Sequence, residues 1–525
     1  MTEHFRKHWQ ADPLLIIGGE VHNSNSSSAE AMAPVWKKAD ELCLNTVLAP
    51  VTWEMLEPQE GEYDFTAVDM LLDGARSHGK RLVLLWFGAW KNAQCGYAPA
   101  WVKADTRRFA RAEVEKGSNK VCLKQFHDMP YTTLSYLCTA TQQADARAFA
   151  HLMAHLREVD GTQKTVYMVQ VENETGLQGA AREHSDAADA AFAADVDPGL
   201  IAFLKHNTDE MAPDLRTAVK AAPDAGSWSD VFGTVAEEVF SAYHIARFVQ
   251  YVAAEGLAEY DLPLAVNCWL DKRDKPGEYP SGGPVARMME VWQYAAPAID
   301  VYAPDIYVHD FCDVCEQYKK RENPLFIPET ATHGHAGPRL VYAVGHCHAI
   351  GYSPFGFEDM GTGFGDMAGE LFGVDIHDPL LTTTQDTAEY AWYARTMDSL
   401  APLLLARYGT DKLQAVIHEK PERMTMRFAQ FGFIVDTEHY LLSRQDGVCM
   451  ALELAEDEFL FVTCGCVIVP FSNCEAKPHT DLLCVEEGMY ENGCWKMTRR
   501  LNGDETAVLR FHKPTLLRIQ LFSYA

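Results

Sequence analysis

Met168-Val-Gln-Val-Glu-Asn-Glu174-Thr-Gly176 is an apolar run that stops abruptly on two carboxylates flanking an amide. A run this short and this apolar suits a strand buried on both faces, as in a parallel sheet. It belongs to a series. Leu14–Glu20, Thr46–Val51, Arg81–Phe87, Val166–Val171, Pro263–Cys268, Ile299–Pro304, Pro324–Pro328 and Ile350–Phe357 all read the same way. Helical patterns lie between them. Ser27–Leu44 opens on serines and carries a proline near its first turn, and Thr66–Gly79 ends in glycine; both are boundary signals. Ala144–Val159 and Ala236–Glu255 place apolar residues at helical spacing. Eight strand–helix units predict an α/β fold of the (β/α)8 TIM-barrel type. The competing arrangement is an open doubly wound sheet, but no GxGxxG follows an early strand. Two insertions, Ala89–Gln142 and Gly176–Asp230, fall after the third and fourth strands, where a barrel carries its pocket walls.

The pattern changes after a helix near Asp386–Ala406. From Lys412 onward, alternating segments are interrupted by Asp446-Gly447, Glu487-Gly488, Asn492-Gly493 and Asn502-Gly503, which is hairpin-turn chemistry. Met424–Val435, Val448–Leu454, Phe459–Val469 and Thr515–Phe522 are the expected strands. The reading is a barrel over residues 1–395 and a C-terminal all-β, sandwich-like domain over 396–525, structural in role.

With 45 basic and 74 acidic side chains the net charge is −29. Such a chain repels phosphate backbones and anionic membrane surfaces, so neither nucleic acid nor membrane is an expected partner. The apolar run Leu14–Ile17 is too short for a signal-peptide core, and Phe459–Phe471 is too short to span a bilayer. The expected location is the cytoplasm. The 14 cysteines are then expected as free, mostly buried thiols. Cys312-Asp-Val-Cys315 and Cys464-Gly-Cys466 are the close pairs, and no further Cys or His completes a zinc set beside them. No metal and no organic cofactor are expected, which sets a zinc hydrolase aside. The oligomeric state is left open.

Barrel enzymes work at the C-terminal ends of their strands. The fourth strand ends on Glu174. The seventh, Pro324-Leu-Phe-Ile-Pro-Glu329, again closes an apolar run on a glutamate. Two carboxylates converging on one pocket are what glycoside hydrolysis needs, one to protonate the leaving oxygen and one to attack or to activate water. A lone strand-end glutamate is as readily a solvated loop residue; two on the right strands favour catalysis.

These stretches resemble glycoside hydrolase family 35, the β-galactosidases. VQVENETG is very close to that family's VQVENEYG. Gly18-Gly-Glu-Val-His22 is similar to its GGEIHY. Asn45-Thr-Val-Leu-Ala-Pro-Val-Thr-Trp-Glu-Met-Leu-Glu-Pro58 followed by Gly61-Glu-Tyr-Asp-Phe65 is similar to NTVETYVFWNLHEP…GxFDF, and Gly88-Ala-Trp-Lys-Asn-Ala-Gln94 with Gly96-Tyr-Ala-Pro-Ala-Trp101 to GPYINAE…GGFPGW. The tail resembles a small C-terminal domain of one bacterial subgroup. The resemblance implies Glu174 as acid/base, Glu329 as nucleophile, Asn173 on the sugar 2-hydroxyl and Asn92 as a sugar ligand. Gln94 stands where the family has a sugar-binding Glu. Ala49-Pro50 replaces Thr-Tyr, and Glu54 and Leu56 replace Asn and His, which bears on the sugar rather than the chemistry. Trp53, Trp90, Trp101 and Trp269 are read as stacking walls or core. Tyr307 is read as a partner of the nucleophile or a rim tyrosine, and Glu20 and Glu358 as sugar ligands or paired barrel charges. The expected function is a retaining exo-β-galactosidase on oligosaccharides. The alternatives are the same chemistry on another β-glycoside, a β-galactofuranoside or an α-L-arabinoside, or a catalytically inactive carbohydrate-binding barrel.

Overall fold

The computed structural model describes residues 1–123, 129–271, 275–308, 310–320, 322–332, 334–362, 383–419, 424–442 and 446–525. The eight apolar runs form β1 (Ile16–Glu20), β2 (Thr46–Thr52), β3 (Arg81–Phe87), β4 (Val166–Val171), β5 (Leu264–Cys268), β6 (Val301–Ile306), β7 (Phe326–Ile327 and Glu329–Thr330) and β8 (Gly351–Tyr352). They pair in parallel in the order β6-β5-β4-β3-β2-β1-β8, and β7 closes the ring. Its first piece pairs with β8 through Phe326↔Gly351. Its second piece pairs with β6 through Glu329↔Asp305. Pro328 stands between the pieces and has no N–H to give a ladder. The fold is a TIM barrel.

Alternation along the strands sorts the interior into layers. Ile16, Leu48, Val83, Leu85, Phe87, Met168, Ala265, Val301 and Ala303 form one inner apolar cluster. The same alternation, continued toward the strands' C-terminal ends, reaches Glu20, Asn267 and Asp305, all buried. The inner wall therefore changes from apolar to polar on going up the barrel. A helix the sequence reading did not anticipate, Glu3–Ala11, is capped by the Thr2 side chain and puts Phe5 into the apolar inner cluster. The expected helices form at Ala29–Glu41, Thr66–Ser77, Thr139–Asp160 and Ala236–Glu259. Ser28 caps the first by accepting from the Ala31 N–H. Among the described residues no helix is long and apolar enough to cross a membrane.

The helix Thr387–Leu405 leads into ten antiparallel strands: β9 (Leu413–Ile417), β10 (Met424–Arg427), β11 (Phe431–Asp436), β12 (Val448–Ala455), β13 (Glu458–Cys464), β14 (Cys466–Ser472), β15 (His479–Glu491), β16 (Cys494–Leu501), β17 (Leu509–Phe511) and β18 (Thr515–Tyr524). Two sheets result, β9-β12-β13-β18-β15-β16 and β10-β11-β14-β17. They share a core of Phe431, Phe433, Phe459, Phe461, Ile468 and Leu517. Three expectations need correction. Phe459–Val469 is not one strand, because Gly465 at φ 58 turns the chain from one sheet into the other, a conformation that suits glycine. Met424–Val435 is a hairpin whose turn, Ala429-Gln430, lacks the usual Gly or Asn. Glu487-Gly488 is a bulge inside β15 rather than a turn. Asn492-Gly493 does form the two-residue turn, both at positive φ, as the type I′ geometry requires.

The other face of the six-stranded sheet, with Leu413, Ala415, Val448, Met450 and Leu460, is continuous with the core around the barrel. A buried ion pair crosses this junction. Arg339, on the helix Ala336–Gly345, donates from Nε to Glu419 at 2.6 Å and lies over the Phe311 ring. Removing one member of a buried pair leaves the other unpaired. We expect Glu419→Gln to cost about 3 kcal/mol in unfolding experiments, and the paired change Arg339→Met with Glu419→Leu to recover most of it. A loss under about 1 kcal/mol for Glu419→Gln would contradict this reading.

Candidate active site

Two short loops at the barrel top interlock. Asn92 and Ala93 after β3, and Glu172 and Glu174 after β4, all take positive φ, between 44° and 63°. Left-handed backbone costs a non-glycine residue about 1–2 kcal/mol, so the surroundings must hold it. They do so with hydrogen bonds. The Trp90 N–H donates to Glu172 Oε2 at 2.8 Å and the Glu174 N–H to Asn267 Oδ1 at 2.9 Å. The Ala93 N–H reaches the Glu174 carbonyl at 3.0 Å, and the Asn173 N–H the Trp90 carbonyl at 3.3 Å. Below them lies a buried carboxyl pair, Glu172 and Asp145. Asp145 accepts from Trp86 Nε1 and the Ala89 N–H. Burial and then the Asp145 charge push Glu172 well above the usual carboxyl range.

The turn aims Glu174 at the end of β7. Carboxyl oxygens of Glu174, Asp305 and Glu329 lie within 4.8 Å of one another. Glu329 is held by three donors: Tyr307 Oη to Oε2 at 3.0 Å, and Asn267 Nδ2 and Asn173 Nδ2 to Oε1 at 3.3 and 3.5 Å. Asn267 Nδ2 also donates to Asp305 at 2.8 Å. Burial, then the charge of Glu329, raises Glu174 to about 7, against the opposing pull of Lys91. Burial, and then the same charged neighbours, push Asp305 and Glu20 well above the usual carboxyl range. Lys91 is buried and faces Glu329, Glu174, Glu20 and Asp305; burial disfavours its charge, but these four together raise its pKa. Several polar atoms around this cluster are buried without a partner: both Glu20 oxygens and one oxygen each of Asn92, Asn173 and Asp305. Buried polar groups seek partners, and a polyhydroxylated ligand supplies them.

The structure thus brings Glu174, Glu329, Asn173, Glu20 and Tyr307 together. Asn92 sits in the interlocked loop, and Gln94 contacts the Tyr131 hydroxyl, which itself feels the Glu174 charge. Trp53 and Trp90, read as stacking walls or core, pack against other aromatic residues. Trp53 is fully buried, donates to Glu57 at 2.8 Å and stacks edge-on against Trp101. Trp90 is fully buried against Phe248. Both lie in the core, where helices cover them. Glu358 accepts through Oε1 from the His22 N–H at 2.8 Å and from Asn25 at 2.6 Å, while its Oε2 is buried without a partner.

Four members of the site were missed. Asp305 follows the expected sixth strand immediately, the same signal that pointed to Glu174. Asn267 is the lone polar side chain in an apolar strand. Lys91 and Tyr131 carried no signal beyond lying in the first insertion.

Two further donor groups have metal-like proximity, Glu316 with His346 and Cys347, and His4 with His8 and Asp261. At the first, the Lys319 ammonium already stands 3.7 Å from Glu316.

Comparison with known proteins places residues 23–209 in the family model described as β-galactosidase, glycoside hydrolase family 42. That segment runs from the end of β1 through Glu174. The matching model is family 42, not the family 35 that the motifs resemble. A domain of unknown function, DUF5597, matches residues 393–513. No curated protein matches. Similar solved structures include the β-galactosidase from Bacillus circulans sp. alkalophilus, at 12% identity, covering 74% of this chain and 57% of that one, with a TM-score of 0.46. A β-galactosidase from Rahnella sp. R3 gives 15%, 74%, 58% and 0.44. A family 42 β-galactosidase from G. stearothermophilus gives 15%, 74%, 57% and 0.42. The chain spans less than two thirds of the length of these solved chains.

Proposed function

We propose that this glycoside hydrolase barrel is a retaining exo-β-galactosidase acting on oligosaccharides by double displacement. One observation carries the reading: oxygens of Glu174 and Glu329 lie within 4.8 Å at the ends of β4 and β7. Retaining enzymes hold their carboxyls about 5–5.5 Å apart, whereas inverting ones need about 6.5–9.5 Å to admit a water. Glu329 attacks the anomeric carbon while Glu174 protonates the leaving oxygen. The glycosyl ester on Glu329 is then hydrolysed by a water that Glu174 deprotonates. Loss of the Glu329 charge on esterification removes one of the causes raising Glu174, so the same group turns from acid to base. Asn173, Asn92, Gln94 and Glu20 hold sugar hydroxyls, and Tyr307 and Asn267 orient Glu329. With Gln at position 94, where the family 35 motif it resembles has Glu, the same chemistry on another β-glycoside, an α-L-arabinoside or a β-galactofuranoside is the alternative reading. A panel of aryl glycosides decides among these, and inactivity on all of them would favour a binding protein.

The electrostatics predict the pH dependence. Glu174 must be protonated to assist departure, and its pKa stands at about 7. For a substrate with a poor leaving group, kcat/KM should fall as pH rises through about 7. Activity that stays constant to pH 9 would mean that Glu174 is not the acid.

A further inference from the structure

Lys91 is more than nine-tenths buried at the top of the barrel. Its side chain runs over the Phe87 ring, with Nζ 5.0 Å from the ring centre. The loop that carries it is fixed at both ends, by the Lys91 N–H to the Gln94 carbonyl at 2.8 Å and the Gln94 N–H to the Lys91 carbonyl at 3.0 Å. Glu20, Glu174, Asp305 and Glu329 surround its charge, coming from β1, β4, β6 and β7. Yet its ammonium makes no hydrogen bond and no ion pair with any described residue. An ammonium that hydrogen-bonds no described residue thus faces four carboxyls, and in the same site the oxygens of Glu20 and one oxygen of Asn92 are buried without a partner. Lysine in such a place is costly unless something completes its hydrogen bonding.

We propose that Lys91 is a specificity-determining residue of this site, donating hydrogen bonds to hydroxyl groups of a neutral sugar that lies between its ammonium and Glu20, Glu174 and Glu329. The inference rests on the glycosidase reading above and adds to it the electrical class of the substrate. Burial first, and then crowding of negative charge, raise the pKa of Glu20 and of Asp305. A sugar bearing its own carboxylate would add to that crowding, so Lys91 serves hydroxyls rather than an acid group.

The test pairs Lys91→Met and Lys91→Gln with a series of aryl β-galactosides lacking one hydroxyl at a time. If Lys91 binds a given hydroxyl, loss of the lysine and loss of that hydroxyl are coupled. We expect Lys91→Met to lower kcat/KM about 100-fold on the parent glycoside, in line with loss of a charged hydrogen bond, and less than about 3-fold on the one analogue that lacks the partner hydroxyl. We also expect the basic limb of the pH profile to move upward, because Lys91 is the cation that lowers Glu174. Equal losses on parent and every analogue, with an unmoved basic limb, would overturn the proposal. So would an aryl β-galactosiduronate cleaved faster than the neutral galactoside by the unaltered protein and more slowly by Lys91→Met. Should Lys91→Met fail to fold, Lys91→Gln carries the same comparison. Inactivity of the unaltered protein on every glycoside would instead overturn the glycosidase reading, and this inference with it.

Discussion

Glu329→Gln should abolish turnover of every glycoside, with kcat falling by at least about 10⁴-fold, the scale seen when a nucleophile acting in a catalytic unit is removed. The amide cannot form the glycosyl ester, and no other described carboxyl is placed to do so. Asp305 pairs beside Glu329 in the β6–β7 ladder, but burial and its charged neighbours raise its pKa and so disfavour the carboxylate a nucleophile needs. The variant should remain folded. It removes a negative charge from a site where Glu20 and Glu174 are raised by that charge, and the amide oxygen placed at Oε1 can still accept from Asn267 and Asn173 while its NH2 donates to the Tyr307 hydroxyl oxygen. Circular dichroism and an unfolding midpoint unchanged or raised, together with absent turnover, would separate loss of chemistry from loss of structure. Residual activity within 100-fold of the unaltered protein would contradict the assignment.

Glu174→Ala should behave differently. General acid assistance contributes about 10²–10⁴-fold, and only where the leaving group needs a proton. On a disaccharide the variant should lose most of its activity. On an activated aryl glycoside the first step should survive, leaving the second step slow because no base activates the water. Azide needs no base, so it should restore turnover on the activated substrate and give a β-glycosyl azide. Equal losses on good and poor leaving groups without azide rescue would remove Glu174 from the role, and an α-azide would remove retention.

Much of the frame was legible because a strand buried on both faces must be continuously apolar, so each barrel strand announces itself. Glu174 and Glu329 stood out because an apolar run ends on each of them. The break in β7 was legible only in part: Pro328 ended the expected strand, yet the ladder resumes at Glu329 and thereby sets that glutamate beside Asp305. Asp305 and Asn267 were overlooked, although polar residues at or near a strand's upper end are what the inner layer of a barrel needs. Lys91 was not legible. A lysine in a loop is ordinarily a solvated charge, and its burial follows from the left-handed loop 92–93 locking onto the Glu172–Glu174 turn, a contact between segments some 80 positions apart in the chain. Trp53 and Trp90 were left between two readings for a related reason. Aromatic residues after barrel strands serve as sugar platforms or as core, and only the packing of Trp101 and Phe248 against them decides. In the tail, Gly465 switches sheets within an unbroken apolar run, which neither hydropathy nor turn pairs reveal.

The central claim is that the sugar is carried on Glu329 between two displacements. A 2-deoxy-2-fluoro-β-galactosyl donor with a good leaving group slows the second step and lets the ester accumulate. Incubation followed by intact-mass measurement and peptide mapping should show one 2-fluorogalactosyl group per chain, attached to the peptide that contains Glu329. A label on the peptide containing Glu174, or turnover of the donor with no covalent adduct at any time point, would contradict the account.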